Sequence, residues 1–261
     1  METYWTQFDT ADAPVIETDI LVIGSGAAGL QTAWSLAEAG REVLVAVRDE
    51  LQDSNTAKAQ GGIAAALGKD DDPSLHYQDT LVAGAGLTDE KMAKIVVTEG
   101  PQAVLDLLHH GAQFDRNPDG TLALGREGCH SRNRIVHANG DSTGAEVSRA
   151  LRAIAGREKR IRTLEHCYVT DLLVRDGICW GAMALHQGKM LHIWARGTVL
   201  ATGGVGRLFA HTPNPEGAVG SGLALAYRAG AELMDMEFVQ FHPTALAIPG
   251  HPSFLVSEAV R

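Results

Sequence analysis

The feature that most constrains this chain is a glycine turn set between two apolar runs in residues 18–48, which read T-D-I-L-V-I-G-S-G-A-A-G-L-Q-T-A-W-S-L-A-E-A-G-R-E-V-L-V-A-V-R. The first run, residues 20–23, stops at Gly24, Ser25, Gly26, Ala27, Ala28 and Gly29. A helical pattern then leads to Gly40, and a second apolar run covers residues 43–47. Strand, tight glycine turn, helix and parallel strand together make a dinucleotide site. Gly24 permits the turn, Gly26 lets backbone approach a pyrophosphate, and Gly29 lets the helix lie close to the strand. The diphosphate meets the free N–H groups and the positive end of the helix dipole. Alone, the motif says dinucleotide and no more.

Bulk properties remove several function classes. A net charge of -10 speaks against nucleic acid or an anionic membrane as the main partner. It leaves room for an anionic small substrate met by local arginines. Cys129, Cys167 and Cys179 are odd in number and lack C-x-x-C spacing, which predicts no disulfide frame and no metal site. The start, M-E-T-Y-W-T-Q-F-D-T, has neither the basic end nor the apolar core of a signal peptide. No apolar run approaches the roughly 20 residues a membrane helix needs. The expected setting is cytoplasmic.

Beyond the second strand, Arg48 stands where an NAD-binding fold often carries an acid for the ribose hydroxyls. Either a different dinucleotide or a plain surface arginine accounts for it. The small-residue run at 54–67 follows, with Asn55 and Thr56 able to cap a helix or donate to phosphate. It suits either a ligand contact or a tight helix crossing. Residues 73–110 read as helices, with Leu75, Leu81, Val82, Met92, Ile95, Val96, Val104, Leu105 and Leu108 as apolar faces and Gly100-Pro101 as a break. The block at 124–138 gathers Arg126, Arg132 and Arg134 around Glu127, His130 and His137. Arginine forks suit carboxylate recognition, although a solvated charged face is the common alternative.

Asp141-Ser142-Thr143-Gly144 then caps a predicted helix running to about Gly156. Three short strands follow at 167–174, 179–186 and 190–194, turning at Asp176-Gly177 and Gln187-Gly188-Lys189. This antiparallel meander feeds a further strand ending at Thr202, Gly203 and Gly204. Ser221, between two glycines, opens one more helix. Two glycine turns around one nucleotide, with a meander between them, point to FAD rather than NAD. The expected fold class is α/β: a Rossmann-like FAD-binding domain with an inserted antiparallel β-meander, followed by the start of a capping domain. The expected division is an arm at 1–17, the FAD-binding domain at 18–241 and the capping segment at 242–261.

These residues resemble the family that includes the flavoprotein subunits of fumarate reductase and succinate dehydrogenase, and L-aspartate oxidase. The blocks that carry the likeness are I-G-S-G-A-A-G-L, A-Q-G-G-I-A-A, G-R-E-G-C-H-S, L-A-T-G-G, E-F-V-Q-F-H-P-T-A-L and S-E-A-V-R, in that order over residues 19–261. In the respiratory members a histidine just before the A-Q-G-G block tethers FAD covalently. No histidine lies between Arg48 and Gly62 here, so the resemblance implies non-covalent FAD, as in L-aspartate oxidase. It further implies that Glu127 holds a substrate ammonium, where the dicarboxylate enzymes carry an apolar residue. The implied reaction is oxidation of L-aspartate to iminoaspartate, with hydride passing to flavin N5 and reoxidation by oxygen or fumarate. The product would feed quinolinate synthase in NAD biosynthesis.

Carried over residue by residue, the cofactor contacts fall on the 24–29 turn, Arg48, Asn55, Thr56, Ala57, Lys58, Ala59, Gln60, Gly61, Gly62, Asp171, Gly203, Gly204 and Ser221. His242, with Glu127, matches the catalytic positions, and Gln240, Thr244, Ser257 and Glu258 match the substrate-binding ones. Two departures stand out: Ser221 replaces the aspartate of a Gly-Asp-Gly, and Cys129 replaces a glycine beside Glu127. The family's catalytic arginine belongs to a later Pro-Arg-Asp block, so the chain reads as an N-terminal portion that is inactive by itself. A soluble fumarate reductase-like flavoprotein and an inactive FAD-binding module remain the alternatives.

Overall fold

The computed structural model describes residues 12–242, 244–246, 248–251 and 253–256. In chain order the elements begin with β1 (Val15–Ile23), α1 (Ala27–Glu38), β2 (Val43–Ala46), α2 (Asn55–Lys58) and β3 (Ile63–Ala64). Next come α3 (Pro73–Ala83), α4 (Glu90–His109), β4 (Leu124–Gly125), β5 (Ile135–Val136) and α5 (Thr143–Arg157). The remainder is β6 (Ile161–Leu164), β7 (Cys167–Arg175), β8 (Ile178–His186), β9 (Lys189–Leu200), α6 (Ser221–Arg228), β10 (Ala245–Leu246) and β11 (Phe254–Leu255). The described residues divide into two compact units: 12–57 with the described residues of 151–256, and 58–150.

The first unit is built on a six-stranded sheet of order β6-β2-β1-β9-β8-β7. Its β6, β2, β1 and β9 run parallel, whereas β9, β8 and β7 form the antiparallel meander. Leu21, Val22, Val43 and Val45 are fully buried, as continuous apolar strands covered on both faces must be. Helix α1 buries Leu30, Ala33, Trp34 and Ala37, a stripe at helical spacing. A core of Leu21, Ile23, Leu44, Ala46, Cys167, Val169, Ala182, Ile193 and Leu225 joins the strands to α6. Both meander turns place their two central residues at positive φ, 54° and 75° at Asp176-Gly177 and 52° and 76° at Gln187-Gly188. That pair of angles matches the right-handed twist of a two-residue hairpin.

The strands of this six-stranded sheet depart from the sequence expectation in three places. Strand β9 is a single 12-residue strand rather than two. It pairs antiparallel with β8 over 189–194 and parallel with β1 over 192–200, and this double ladder carries it through Arg196-Gly197. Strand β1 starts at Val15, inside the expected arm, because Val15, Ile16 and Glu17 pair with His192, Ile193 and Trp194. Strand β6 was not expected at all; parallel pairing with β2 makes a strand of a four-residue stretch with little apolar pattern.

The second unit holds α3, α4 and the small antiparallel sheet β3-β5-β4. Asp72 and Asp89 cap α3 and α4 by accepting from Ser74 N–H at 2.8 Å and Met92 N–H at 2.9 Å. Helix α4 runs through the expected break with Pro101 inside it. Gly100 removes the Cβ against which the proline ring would press, and this eases the continuation. The buried face of α4 is Ala93, Val97, Val104 and Leu107, while Val82, Met92, Ile95, Val96 and Leu105 are exposed. The expected apolar faces were therefore wrong at those five positions. Among the described residues, no helix is long and apolar enough to cross a membrane.

Candidate functional site

A cavity of about 500 Å³ opens in the first unit at the carboxyl ends of β1, β2 and β9. Strand β1 has β2 on one side and β9 on the other, so this crevice lies where open α/β sheets bind ligands. Its wall comprises the 24–28 turn, Ala46 to Asp49 as β2 ends, Ser54, Asn55 and Thr56, then Gly203 and the start of α6 with Ser221. The turn has no room for side chains at two positions. Gly24 has φ +112°, and a Cβ there would lie 2.3 Å from the Ala201 carbonyl oxygen; one on Gly29 would lie 2.0 Å from the Gly24 oxygen. Gly26 differs, because its nearest neighbour would be Thr56 Oγ1 at 3.4 Å, and its open side belongs to the cavity.

Donors converge on this space. Ala27 and Ala28 open α1 and line the cavity; the Ala27 N–H is capped by Thr56 Oγ1 at 2.9 Å, and Ala28 offers the next first-turn N–H. Arg48 reaches the wall with its guanidinium paired to Asp49, at 2.8 Å through Nε and 2.7 Å through the NH2 nitrogen. An acid therefore does follow the second strand, one position later than expected and beside a cation. Cys167, Tyr168 and Val169 of β7 also line the cavity, unforeseen because nothing in their types marks a contact. Burial pushes the Cys167 thiol up to about 11, which keeps it protonated and inert.

Several expected contacts lie elsewhere. Asp171 is off the cavity wall, buried on β7 and paired with Arg228 at 3.2 Å, because a buried carboxylate needs a cation. Gly29, Ala57 and Gly204 back the wall without lining it. Lys58, Ala59, Gln60, Gly61 and Gly62 belong to the second unit, where the Ala59 carbonyl accepts from Gly144 N–H at 3.0 Å.

Glu127 also belongs to the second unit, 39% exposed, with Oε1 3.3 Å from His137 Nε2. Two of the three arginines of its block, Arg132 and Arg134, have structural partners. Arg134, fully buried, forks onto Asp71 at 2.9 and 2.8 Å and reaches Asp79 at 2.6 Å. Arg132 donates to the carbonyls of Asp70 and Ser131. The forked donors expected to meet a substrate carboxylate are thus spent inside this unit at Arg134 and Arg132. Burial alone would raise Asp79, but Ser131 and Arg134 outweigh it and hold the carboxyl below its ordinary value. His76 is pushed down by burial and by the Arg134 charge, and so stays neutral.

In the first unit His242 and Thr244 are bonded to each other: the Thr244 N–H donates to His242 Nδ1 at 3.3 Å. That makes Nδ1 the acceptor and leaves the ring proton on Nε2. Gln240, two residues before His242, is exposed. Ser257 and Glu258 lie outside the described residues.

The family model described as an FAD binding domain matches residues 19–261. The chain belongs to this FAD-binding family. Its cofactor is FAD, and the cavity fits it: an open glycine approach, first-turn N–H groups and a volume in the range of small-molecule sites. Among relatives, an L-aspartate oxidase of Mesorhizobium japonicum is 50% identical over 97% of this chain and 49% of its own length. One from Streptomyces coelicolor is 49% identical, over 96% of this chain and 45% of its own. Among solved structures, Sdh1 of Mycobacterium smegmatis in complex with UQ1 superposes with TM-score 0.88 at 35% identity, over 95% of this chain and 44% of that one. The chain thus spans about half the length of the curated relatives it matches.

Proposed function

We propose that this FAD-binding chain is part of an L-aspartate oxidase, which converts L-aspartate to iminoaspartate with oxygen or fumarate as the final acceptor. The observation that carries the reading is Glu127, an acceptor in the block where an ammonium-free dicarboxylate would call for an apolar residue. Identity of 50% with an L-aspartate oxidase supports it. When bound, FAD supplies a two-electron acceptor for the hydride that leaves the α-carbon. The chain's residues account for binding and orientation. Ala28 and the α1 dipole attract the diphosphate, and Thr56 secures the turn by capping Ala27. Glu127 accepts from the substrate ammonium, which gives up a proton as the C=N bond forms. His242 donates through Nε2 to a substrate carboxylate, with Gln240, Thr244, Ser257 and Glu258 as further substrate contacts. The product would pass to a quinolinate synthase.

The FAD is held without a covalent bond, since Asn55 and Thr56 stand where the tethering histidine would be. Denaturing the purified protein in acid tests this: yellow colour in the supernatant is expected, and colour retained in the pellet contradicts it. The likeness to Sdh1 favours a dicarboxylate oxidoreductase as the second reading. Peroxide formation that depends on L-aspartate, and not on succinate, separates the two.

A further inference from the structure

Glu127 is tied to the second unit's sheet through one neighbour. His137, directly after β5, places Nε2 3.3 Å from Glu127 Oε1. A carboxylate only accepts, so Nε2 is the donor. Backbone from two sides holds the imidazole. A Cβ on Gly62 would fall 2.9 Å from Nε2, and one on Gly125 would fall 3.0 Å from Cε1. Gly62 precedes β3, Gly125 ends β4, and both strands pair with β5, so the three strands form a clamp around the ring. The Gly62 site is doubly tight, with Ile135 Cγ2 at 2.2 Å and the Val136 oxygen at 2.7 Å. A side chain at Gly125 would meet this imidazole first, and one at Gly62 would meet it together with Ile135 and the Val136 carbonyl.

We propose that His137 is the positioning residue for amine recognition: it holds one oxygen of Glu127 so that the other is presented to the substrate ammonium. The proposal rests on Glu127 being the ammonium acceptor. His137 itself touches no substrate and acts through Glu127. Its loss removes the donor that holds a partly exposed carboxylate, so binding of an amine weakens. Binding of a dicarboxylate without an amine does not change.

The test uses the purified holoenzyme with His137→Phe, which leaves a ring in the clamp without a donor, and His137→Leu as a variant of different shape. Both are expected to raise KM for L-aspartate about three- to tenfold, as loss of a charge-assisted bond at a partly exposed site implies. The competitive Ki of succinate and kcat should stay level. His137→Gln, which restores an N–H donor, should recover most of the loss. In a Glu127→Gln background His137→Phe should add nothing. An aspartate KM unmoved by His137→Phe, while Glu127→Gln raises it, overturns the role of His137 alone. Equal rises in aspartate KM and succinate Ki overturn it too, because they mark a purely structural residue. If Glu127→Gln leaves aspartate KM unchanged, the ammonium assignment of Glu127 falls and takes this proposal with it.

Discussion

Gly24 and Gly26 stand two residues apart and answer to different neighbours. Gly24 meets the Ala201 carbonyl, and its φ of +112° excludes a side chain. Gly26 meets only the Thr56 hydroxyl at ordinary contact and faces the cavity. The expected outcomes therefore split. Gly24→Ala costs about 3 kcal/mol or more through overpacking and strain, and lowers both melting temperature and FAD content. Gly26→Ala leaves the apo-protein's melting temperature nearly unchanged yet weakens FAD binding, which flavin titration of the apo-protein measures. Equal loss of stability in both variants would contradict the account. Cys129 follows the same logic from the other side. Its φ of 65° lies in the left-handed region, where the family's glycine is at ease and a cysteine is strained.

At the scale of elements, Arg134 ties β5 to α3 and to the 68–72 turn. Replacing it with Met leaves the Asp71 and Asp79 carboxylates without their cation, at a cost of about 3–5 kcal/mol. Calorimetry of Arg134→Met should show this loss, and a variant as stable as the parent would refute the buried pairing. The same cluster sets a pH dependence. His76 in the fold has a pKa below its ordinary 6.5, so the unfolded chain binds the extra proton first and stability falls as pH drops below that value. The groups facing it are Arg134, His130, Asp71 and Asp79. Asp79 is also depressed from 3.8, so its contribution is present above that value and is lost on further acidification. Melting temperature should hold near pH 7–8, decline through about pH 6, and drop again near pH 4. His76→Asn should remove the first decline.

How far such elements are legible in sequence follows from where their causes lie. The glycine turn, α1 and the two hairpin turns were readable because local sterics decide them. The continuity of β9 was not, since it comes from two partners on opposite edges. Strand β6 owes its existence to β2 in the same way. The Arg134 side chain looked like a ligand for carboxylates and is one, but its carboxylates are Asp71 and Asp79, more than 50 residues upstream. The clamp around His137 was equally hidden, because nothing in Gly62 or Gly125 names the ring they face.

On the scale of the whole molecule, the chemistry is divided between the two units. The first holds the dinucleotide cavity and the His242–Thr244 pair; the second holds Glu127, His137 and the Arg134 network. On the proposed reading, cofactor capture rests on residues of the first unit and amine selection on residues of the second. The measurement that tests the proposed reading most directly is the visible spectrum of the purified full-length holoenzyme, mixed without oxygen with L-aspartate and, separately, with succinate. L-Aspartate is predicted to bleach the flavin and succinate to leave it oxidised, with the Glu127→Gln variant yellow and slow to bleach. Bleaching by succinate and none by L-aspartate would contradict the account.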